Sequence, residues 1–140
     1  MGSTEINFFS EGTDFVYDDL ELAKGIINMV LAEEKTRFAE VNVIFCGDKE
    51  IKRINKTFLN KDRTTDVISF DLESELAITE IYIGINQVEE NSKYFNEKFE
   101  NELNRVLIHG VLHLCGYNDY TEQEKREMKA KENFYLQKVS

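Results

Sequence analysis

Hydrophobic residues follow two patterns along the chain, one with the two-residue period of a strand and one with the spacing of a helix. Turn residues separate the segments that follow each pattern. Alternating or β-branched stretches predict four strands, at residues 5–9, 37–46, 67–72 and 80–85. Apolar residues at i, i+3 and i+4 predict five helices, one beginning at Asp18 or Asp19 and the others at about 49–59, 86–96, 98–115 and 121–139. Strands dominate the first half of the chain and helices the second. This order predicts an α+β fold in one domain over residues 1–140, with a small mixed sheet of about four strands packed with about five helices.

The same spacing predicts which helix residues enter the core. In the first helix they are Leu22, Ala23, Ile26, Ile27, Val30 and Leu31. In the helix at 49–59 they are Ile51, Ile54, Phe58 and Leu59. Asn86 is the expected cap of the third helix, and Thr121 with Glu124 forms a capping box at the start of the last one. That last helix is charged, and its expected packing residues are Met128, Phe134, Tyr135 and Leu136.

The helix at 98–115 is apolar on nearly all sides from Val106 to Cys115, so we expect it to be the buried central helix. It carries His109 and His113, the two histidines of the protein. Residues four apart share one face of a helix, with Cβ atoms about 5–6 Å apart, and one metal ion can bind a nitrogen from each. Gly116 is expected to end the helix in the left-handed conformation, so that the chain reverses and Asp119 returns toward the same metal.

Zinc suits this set of side chains. His109, His113 and Asp119 would supply three ligands and leave a fourth position for water, as in catalytic zinc sites. Metzincin proteases share the histidine spacing, but a glutamate follows their first histidine and acts as general base. Gly110 stands there in this chain, which argues against peptide hydrolysis. Three other interpretations stay open: histidines that only hydrogen-bond in the core, an Asp119 that caps the last helix, and a non-haem iron site.

Charge is distributed unevenly along the chain. There are 17 Lys and Arg against 27 Asp and Glu, and the net charge of −10 argues against nonspecific binding of nucleic acid. Residues 1–34 carry eight acids and one lysine, whereas residues 49–63 carry six bases and two acids. A local basic surface on an acidic protein is compatible with one anionic partner bound at one face.

Cys46 and Cys115 lie in apolar runs, which is typical of reduced, buried cysteines in a cytosolic protein. No apolar stretch approaches the 18 or so residues of a membrane span. The N-terminus lacks the basic start and apolar run of a secretory signal. The sequence therefore predicts a cytoplasmic protein with no membrane partner.

Two blocks of the sequence resemble the YbeY family of metal-dependent endoribonucleases, which act in ribosomal RNA maturation. The first block, residues 55–70, reads NKTFLNKDRTTDVISF. The second, residues 109–119, reads HGVLHLCGYND and is followed by Glu122 and Met128. Their order and spacing extend from Asn55 to about Glu132, and together they are far more specific than the histidine pair alone. The resemblance implies an α+β domain with a small sheet beside a buried metal-bearing helix, and one zinc ion.

The resemblance also implies roles for individual residues. The third metal ligand of the family is usually histidine, so Asp119 would make this site a variant with an anionic ligand. Arg63 aligns with an arginine that the family places near the zinc. A guanidinium suits a phosphodiester because it offers a bidentate fork to phosphate oxygens. Asp66 and Ser69 are expected to shape the loop and the strand start.

These inferences predict a zinc-dependent endoribonuclease, specific for single strands, in small-subunit ribosomal RNA maturation and ribosome biogenesis. Zinc is the expected cofactor, with other divalent metals as alternatives. The expected partners are ribosomal RNA and ribosomal or ribosome-assembly proteins. The candidates for contacts with the RNA backbone are Lys52, Arg53, Lys56 and Lys61, and Phe70 or Tyr117 are candidates for base stacking. The alternatives are a non-catalytic assembly factor with a structural metal, and a metal-dependent hydrolase of another substrate. The sequence identifies no general base.

Overall fold

The fold is a mixed sheet covered by helices on both faces. The computed structural model describes residues 3–72 and 75–139, and within them the chain forms four strands and five helices. In chain order these are β1 (Glu5–Glu11), α1 (Leu20–Glu33), β2 (Glu40–Cys46), α2 (Asp48–Leu59), β3 (Val67–Asp71), β4 (Ile78–Gly84), α3 (Ile85–Tyr94), α4 (Phe99–Leu114) and α5 (Glu122–Val139). The sheet order is β1-β2-β4-β3, with β1, β2 and β4 parallel and β3 antiparallel to β4. The predicted α+β class is confirmed.

Both faces of the sheet bury apolar side chains, because successive residues of a strand point to opposite faces. One face places Val43 and Ile81 in the main core with residues of α1 and α4. The other face places Ile44 and Ile68 in a smaller cluster, which α2 closes. Burial on two faces explains why β2 ends in a continuous apolar run, VIFC, rather than in strict alternation.

Helix α4 is the buried central helix, as predicted. Most of its residues from Leu103 to Leu114 are buried, and it contacts the sheet as well as α1, α3 and α5. It comes close to the sheet at Gly110. A Cβ at that position would lie 2.9 Å from Ile81 Cγ2 and 3.1 Å from Val67 Cγ2, and Ser69 Oγ donates a hydrogen bond to the Gly110 carbonyl at 2.9 Å. The place of the protease glutamate therefore has no room for a side chain.

Of the three predicted N-terminal caps, at α1, α3 and α5, two are present in the structure. Asp19 caps α1, since its Oδ1 accepts a hydrogen bond from the Leu22 amide at 3.0 Å. Thr121 and Glu124 form the predicted capping box, with amide-to-side-chain bonds of 3.1 and 2.9 Å. The third prediction is wrong: α3 begins at Ile85, so Asn86 lies inside its first turn. Strand β4 ends at Gly84 and leads directly into this helix, and the Gly84 amide donates a hydrogen bond to the Asp66 carbonyl at 2.8 Å.

Four apolar residues that the spacing assigned to the core are exposed. Their exposed fractions are 41% for Leu22, 61% for Phe58, 45% for Leu59 and 45% for Phe134. Each lies at the edge or the end of a buried stripe. On α5, for example, Met128, Glu132 and Tyr135 face inward, and Phe134 is turned away by one helical step of about 100°. Spacing alone did not show how far the neighbouring elements extend beneath each helix.

The boundaries of all four strands also differ from the prediction: β3 ends at Asp71 rather than at residue 72, and β4 covers Ile78–Gly84 rather than 80–85. β1 continues to Glu11, and β2 begins at Glu40 rather than at residue 37. Of the two free cysteines, Cys46 is buried and Cys115 is only half-buried. No helix in the described part of the chain is both long and apolar enough to cross a membrane.

Candidate metal centre

The two histidines of α4 point their Nε2 atoms at one another across 2.9 Å. Each ring is fixed through its other nitrogen. His109 Nδ1 donates to Glu132 Oε2 at 2.6 Å, and His113 Nδ1 donates to the Tyr117 carbonyl at 2.9 Å. Because both of these partners are acceptors, the ring protons reside on Nδ1. Both Nε2 lone pairs therefore face the same small volume.

The end of α4 brings a carboxylate to that volume. Gly116 adopts a φ of +101°, and the Tyr117 and Gly116 amides bind back to the carbonyls of Leu112 and His113 at 3.1 and 3.0 Å. This Schellman arrangement reverses the chain, as the glycine predicted. It places Asp119 Oδ2 3.3 Å from His109 Nε2 and 3.7 Å from His113 Nε2. The Thr121–Glu124 box caps α5, so Asp119 faces the histidines rather than the helix end.

This donor set fits a metal cation. One ligand atom from each of the three residues lies within 4.8 Å of the others. Ligands about 2.0–2.1 Å from a tetrahedral zinc ion are about 3.3 Å apart, and the three separations of 2.9, 3.3 and 3.7 Å bracket that value. Two facing lone pairs and a carboxylate also repel one another unless a cation or a proton lies between them. Nitrogen and oxygen donors of this kind are ordinary ligands of zinc.

The two rings differ in their electrostatics. Burial lowers the pKa of His113, and the charge of His109 lowers it further. Burial acts in the same direction on His109, but the hydrogen bond and the charge of Glu132, followed by the charge of Asp119, outweigh it and raise its pKa. In the absence of a cation, a second ring proton is therefore disfavoured on His113 and favoured on His109, and a metal ion bound between the Nε2 atoms would take the place of that proton.

Sequence reasoning missed two groups that orient the rings, Glu132 and the Tyr117 carbonyl. Glu132 is only 7% exposed, and its Oε1 also accepts a hydrogen bond from Arg105 Nη1 at 3.1 Å. A carboxylate or a carbonyl on the remote nitrogen of a ligating histidine is the usual device that fixes its orientation. The sequence did contain an indication of Glu132, because this acid lies on the same helix face as the buried residues Met128 and Tyr135. Nothing in the sequence pointed to the carbonyl.

A groove of about 410 Å³ opens over the histidines, and Lys61 and Arg63 line it together with Asp119. Arg63 is exposed, and its carbonyl accepts a hydrogen bond at 3.0 Å from the side chain of Asn55, which is 2% exposed. The loop that carries Arg63 is therefore anchored to α2. The other predicted cations, Lys52, Arg53 and Lys56, are exposed on α2 and do not line the groove.

The aromatic residues proposed for base stacking lie elsewhere. Phe70 packs edge-to-face between Phe58 and Tyr82, at centroid distances of 5.2 and 5.9 Å, on the sheet face that carries α2. The Tyr117 hydroxyl is bound to Glu34. The aromatic side chain that does line the groove is Tyr120, which is 82% exposed.

Asp66 borders the site on its other side. It lines the groove and also a second cavity, of about 550 Å³, which reaches His109 from the direction of Arg105 and Glu132. Its Oδ2 accepts a hydrogen bond from Asn91 at 3.2 Å, and its carbonyl binds the Gly84 amide. These bonds hold the start of β3 against α3 and β4, in keeping with the predicted role of Asp66 in shaping the loop.

An α+β domain whose central helix and terminal turn bring two histidines and an aspartate together has the donor set of a metal-dependent protein. The family model described as Endoribonuclease YbeY matches residues 10–140 of this chain. A relative of that name from Christiangramia forsetii is 42% identical over 94% of this chain and 92% of its own length. Another, from Chloroherpeton thalassium, is 44% identical over 83% of both chains. The solution structure of TM1509 from Thermotoga maritima superposes with a TM-score of 0.63 at 33% identity, covering 94% of this chain and 88% of that one.

The chain belongs to the YbeY family of endoribonucleases. The resemblance carried by the two sequence blocks is confirmed, and so is the prediction of a metal-dependent endoribonuclease at the level of the family. An RNA substrate follows from this reaction class.

Proposed function

We propose that this protein is a zinc-dependent endoribonuclease that cuts single-stranded regions of ribosomal RNA during maturation of the small ribosomal subunit. The observation that carries the proposal is the convergence of the ring nitrogens of His109 and His113 with the Asp119 carboxylate, all within 4.8 Å, in a groove that Arg63 also lines. The family supplies the reaction class, and the ligand atoms supply the case for zinc.

In this proposal His109, His113 and Asp119 hold the ion, which when bound polarises a phosphoryl oxygen and lowers the pKa of water. Glu132 and the Tyr117 carbonyl keep the rings in the binding orientation. The guanidinium of Arg63 binds the phosphate and stabilises charge that develops on its oxygens. An aspartate in place of a third histidine makes the ligand set more negative by one charge. We therefore expect a metal selectivity different from that of a three-histidine site.

The groove also favours a single strand. Tyr120 offers an exposed ring in the groove that Arg63 and Lys61 also line, and unpaired bases can stack on such a ring while their phosphates approach the cations. Lys52, Arg53 and Lys56 continue the basic surface along α2, where they would contact the backbone of a longer RNA. Ribosomal or ribosome-assembly proteins as further partners, and a cytoplasmic location, belong to the same proposal.

Elemental analysis combined with RNA cleavage tests the proposal. We expect zinc at near-unit stoichiometry, and cleavage of a single-stranded ribosomal RNA fragment that a chelator abolishes and zinc restores. A duplex of the same sequence should be resistant. His113→Ala should stay folded and lose both zinc and cleavage, whereas Lys24→Ala on α1 serves as a matched surface control. Absence of zinc, or cleavage that is indifferent to the chelator, would refute the proposal.

The same samples separate the alternatives. A non-catalytic assembly factor with a structural metal predicts that His113→Ala unfolds and that the wild-type protein cleaves no RNA. A hydrolase of another substrate predicts metal-dependent cleavage of a peptide, which Gly110 in the place of the protease glutamate speaks against.

A further inference from the structure

Four side chains from three separate segments meet beside the end of α4. They are Glu34 at the C-terminal end of α1, Tyr117 after α4, and Lys131 and Tyr135 of α5, which together form the Glu34 cluster. Glu34 Oε1 accepts a hydrogen bond from the Tyr117 hydroxyl at 2.6 Å. Its Oε2 accepts one from Lys131 Nζ at 3.0 Å and another from the Tyr135 hydroxyl. The Glu34 side chain is only 8% exposed, so this charge depends on its three donors.

Tyr117 connects this cluster to the candidate metal centre. Its carbonyl accepts the His113 Nδ1 proton at 2.9 Å, its amide binds the Leu112 carbonyl at 3.1 Å, and its hydroxyl is held by Glu34. Lys131 Nζ also lies 5.4 Å from the centre of the Tyr117 ring. The residue is thus fixed at its backbone and at the far end of its side chain.

We propose that Glu34 is a positioning residue for the metal centre, acting through Tyr117. By anchoring the phenol it keeps the Tyr117 carbonyl on His113 Nδ1, and it thereby keeps His113 Nε2 directed at His109 and Asp119. The inference rests on the proposed metal-dependent function. His109 is hydrogen-bonded directly to a carboxylate, that of Glu132. His113 is connected to the Glu34 carboxylate only through Tyr117, whose carbonyl contacts His113 and whose hydroxyl contacts Glu34. Glu34 lies outside both sequence blocks that identified the family.

A double-mutant cycle on zinc affinity tests the relay. Glu34→Gln removes the charge, and Tyr117→Phe removes the hydroxyl while it retains the carbonyl. Zinc dissociation constants are measured by competition with a chromophoric chelator, at a temperature where circular dichroism shows every variant to be folded. Loss of a direct partner of a ligating histidine weakens metal binding by about 10–100-fold. Because both variants keep the Tyr117 carbonyl and lose only its anchor, each single variant should lie at the lower end of that range, at about 10-fold. The double variant should be no weaker than either single one, because both act on the same bond. Glu33→Gln, which removes an exposed charge one residue earlier, should leave the affinity unchanged.

A second measurement does not require zinc. The protein has two histidines, so long-range ¹H–¹⁵N spectra of the metal-free protein can resolve both rings. We expect a protected His113 Nδ1 proton in the wild type and faster exchange of that proton with water in Glu34→Gln and in Tyr117→Phe. Unchanged zinc affinity in both variants, or losses that add in the double variant, would overturn the inference. If the wild type binds no zinc, the proposed function fails by itself, and equal exchange of this proton in wild type and variants would then refute the relay.

Discussion

Replacement of Gly110 by alanine tests the close contact between α4 and the sheet. An added Cβ would lie 2.9 Å from Ile81 Cγ2, 3.1 Å from Val67 Cγ2 and 3.2 Å from Ser69 Oγ. The Ile81 side chain is fully buried, so in a close-packed core it can move only by displacing its neighbours. The helix must instead shift away from β3 and β4, or the side chains must leave their preferred rotamers.

The magnitude follows from two opposing effects. Alanine in place of glycine inside a helix contributes about 0.8–1 kcal/mol in favour of folding. Overpacking of a close-packed core costs about 1–3 kcal/mol. With contacts this short on a buried isoleucine the second effect is larger, and we expect a net loss of about 1–2 kcal/mol. For a domain of this size, that loss lowers the melting temperature by about 3–8 °C.

Urea denaturation of the metal-free protein, followed by circular dichroism, measures the change without a contribution from bound metal. Gly25→Ala in α1 is the matched control, because a Cβ there meets nothing within 4 Å. It should show only the helix preference, a gain of about 0.5–1 kcal/mol. If Gly110→Ala were as stable as the wild type, or stabilised to the same degree as Gly25→Ala, the steric account of this position would be wrong.

Three further predictions concern the surroundings of the site. Glu132→Gln should weaken zinc binding by about 10–100-fold because His109 loses its charged acceptor, and chelator competition that finds wild-type affinity would contradict this. Asn55→Ala should lower kcat/KM for RNA, with a fall in kcat as well as a rise in KM, because the loop of Arg63 loses its anchor; steady-state cleavage kinetics equal to those of the wild type would count against it. Burial raises the pKa of Glu34, but hydrogen bonds from Tyr117, Tyr135 and Lys131 outweigh it and hold the pKa below the ordinary 4.5. The stability that Glu34 contributes is therefore complete above that pH and is lost as the pH falls through the lowered value. Urea titrations should show the advantage of the wild type over Glu34→Gln shrinking below about pH 4.5, and a constant difference would refute this assignment.

The sequence determined most of the secondary structure and the centre of the site. The helices and strands follow from local spacing, and the capping residues Asp19, Thr121 and Glu124 act within three positions of their partners. The histidine pair is likewise local, since one turn of α4 places both rings on one face. The position of Asp119 could also be predicted from the sequence, because the positive φ of Gly116 determines the direction in which the chain leaves the helix.

Only the tertiary structure decided which groups orient and surround that centre. Glu132 reaches His109 across 23 positions of sequence, and Glu34 reaches Tyr117 across 83. No periodicity encodes such distances, because they depend on how helices pack after they form. The same limit explains why Phe58 is exposed and why Lys61 lines the groove while Lys56 does not. Spacing defines the faces of a helix, but the extent of the strands and helices that pack against it decides how much of each face is covered.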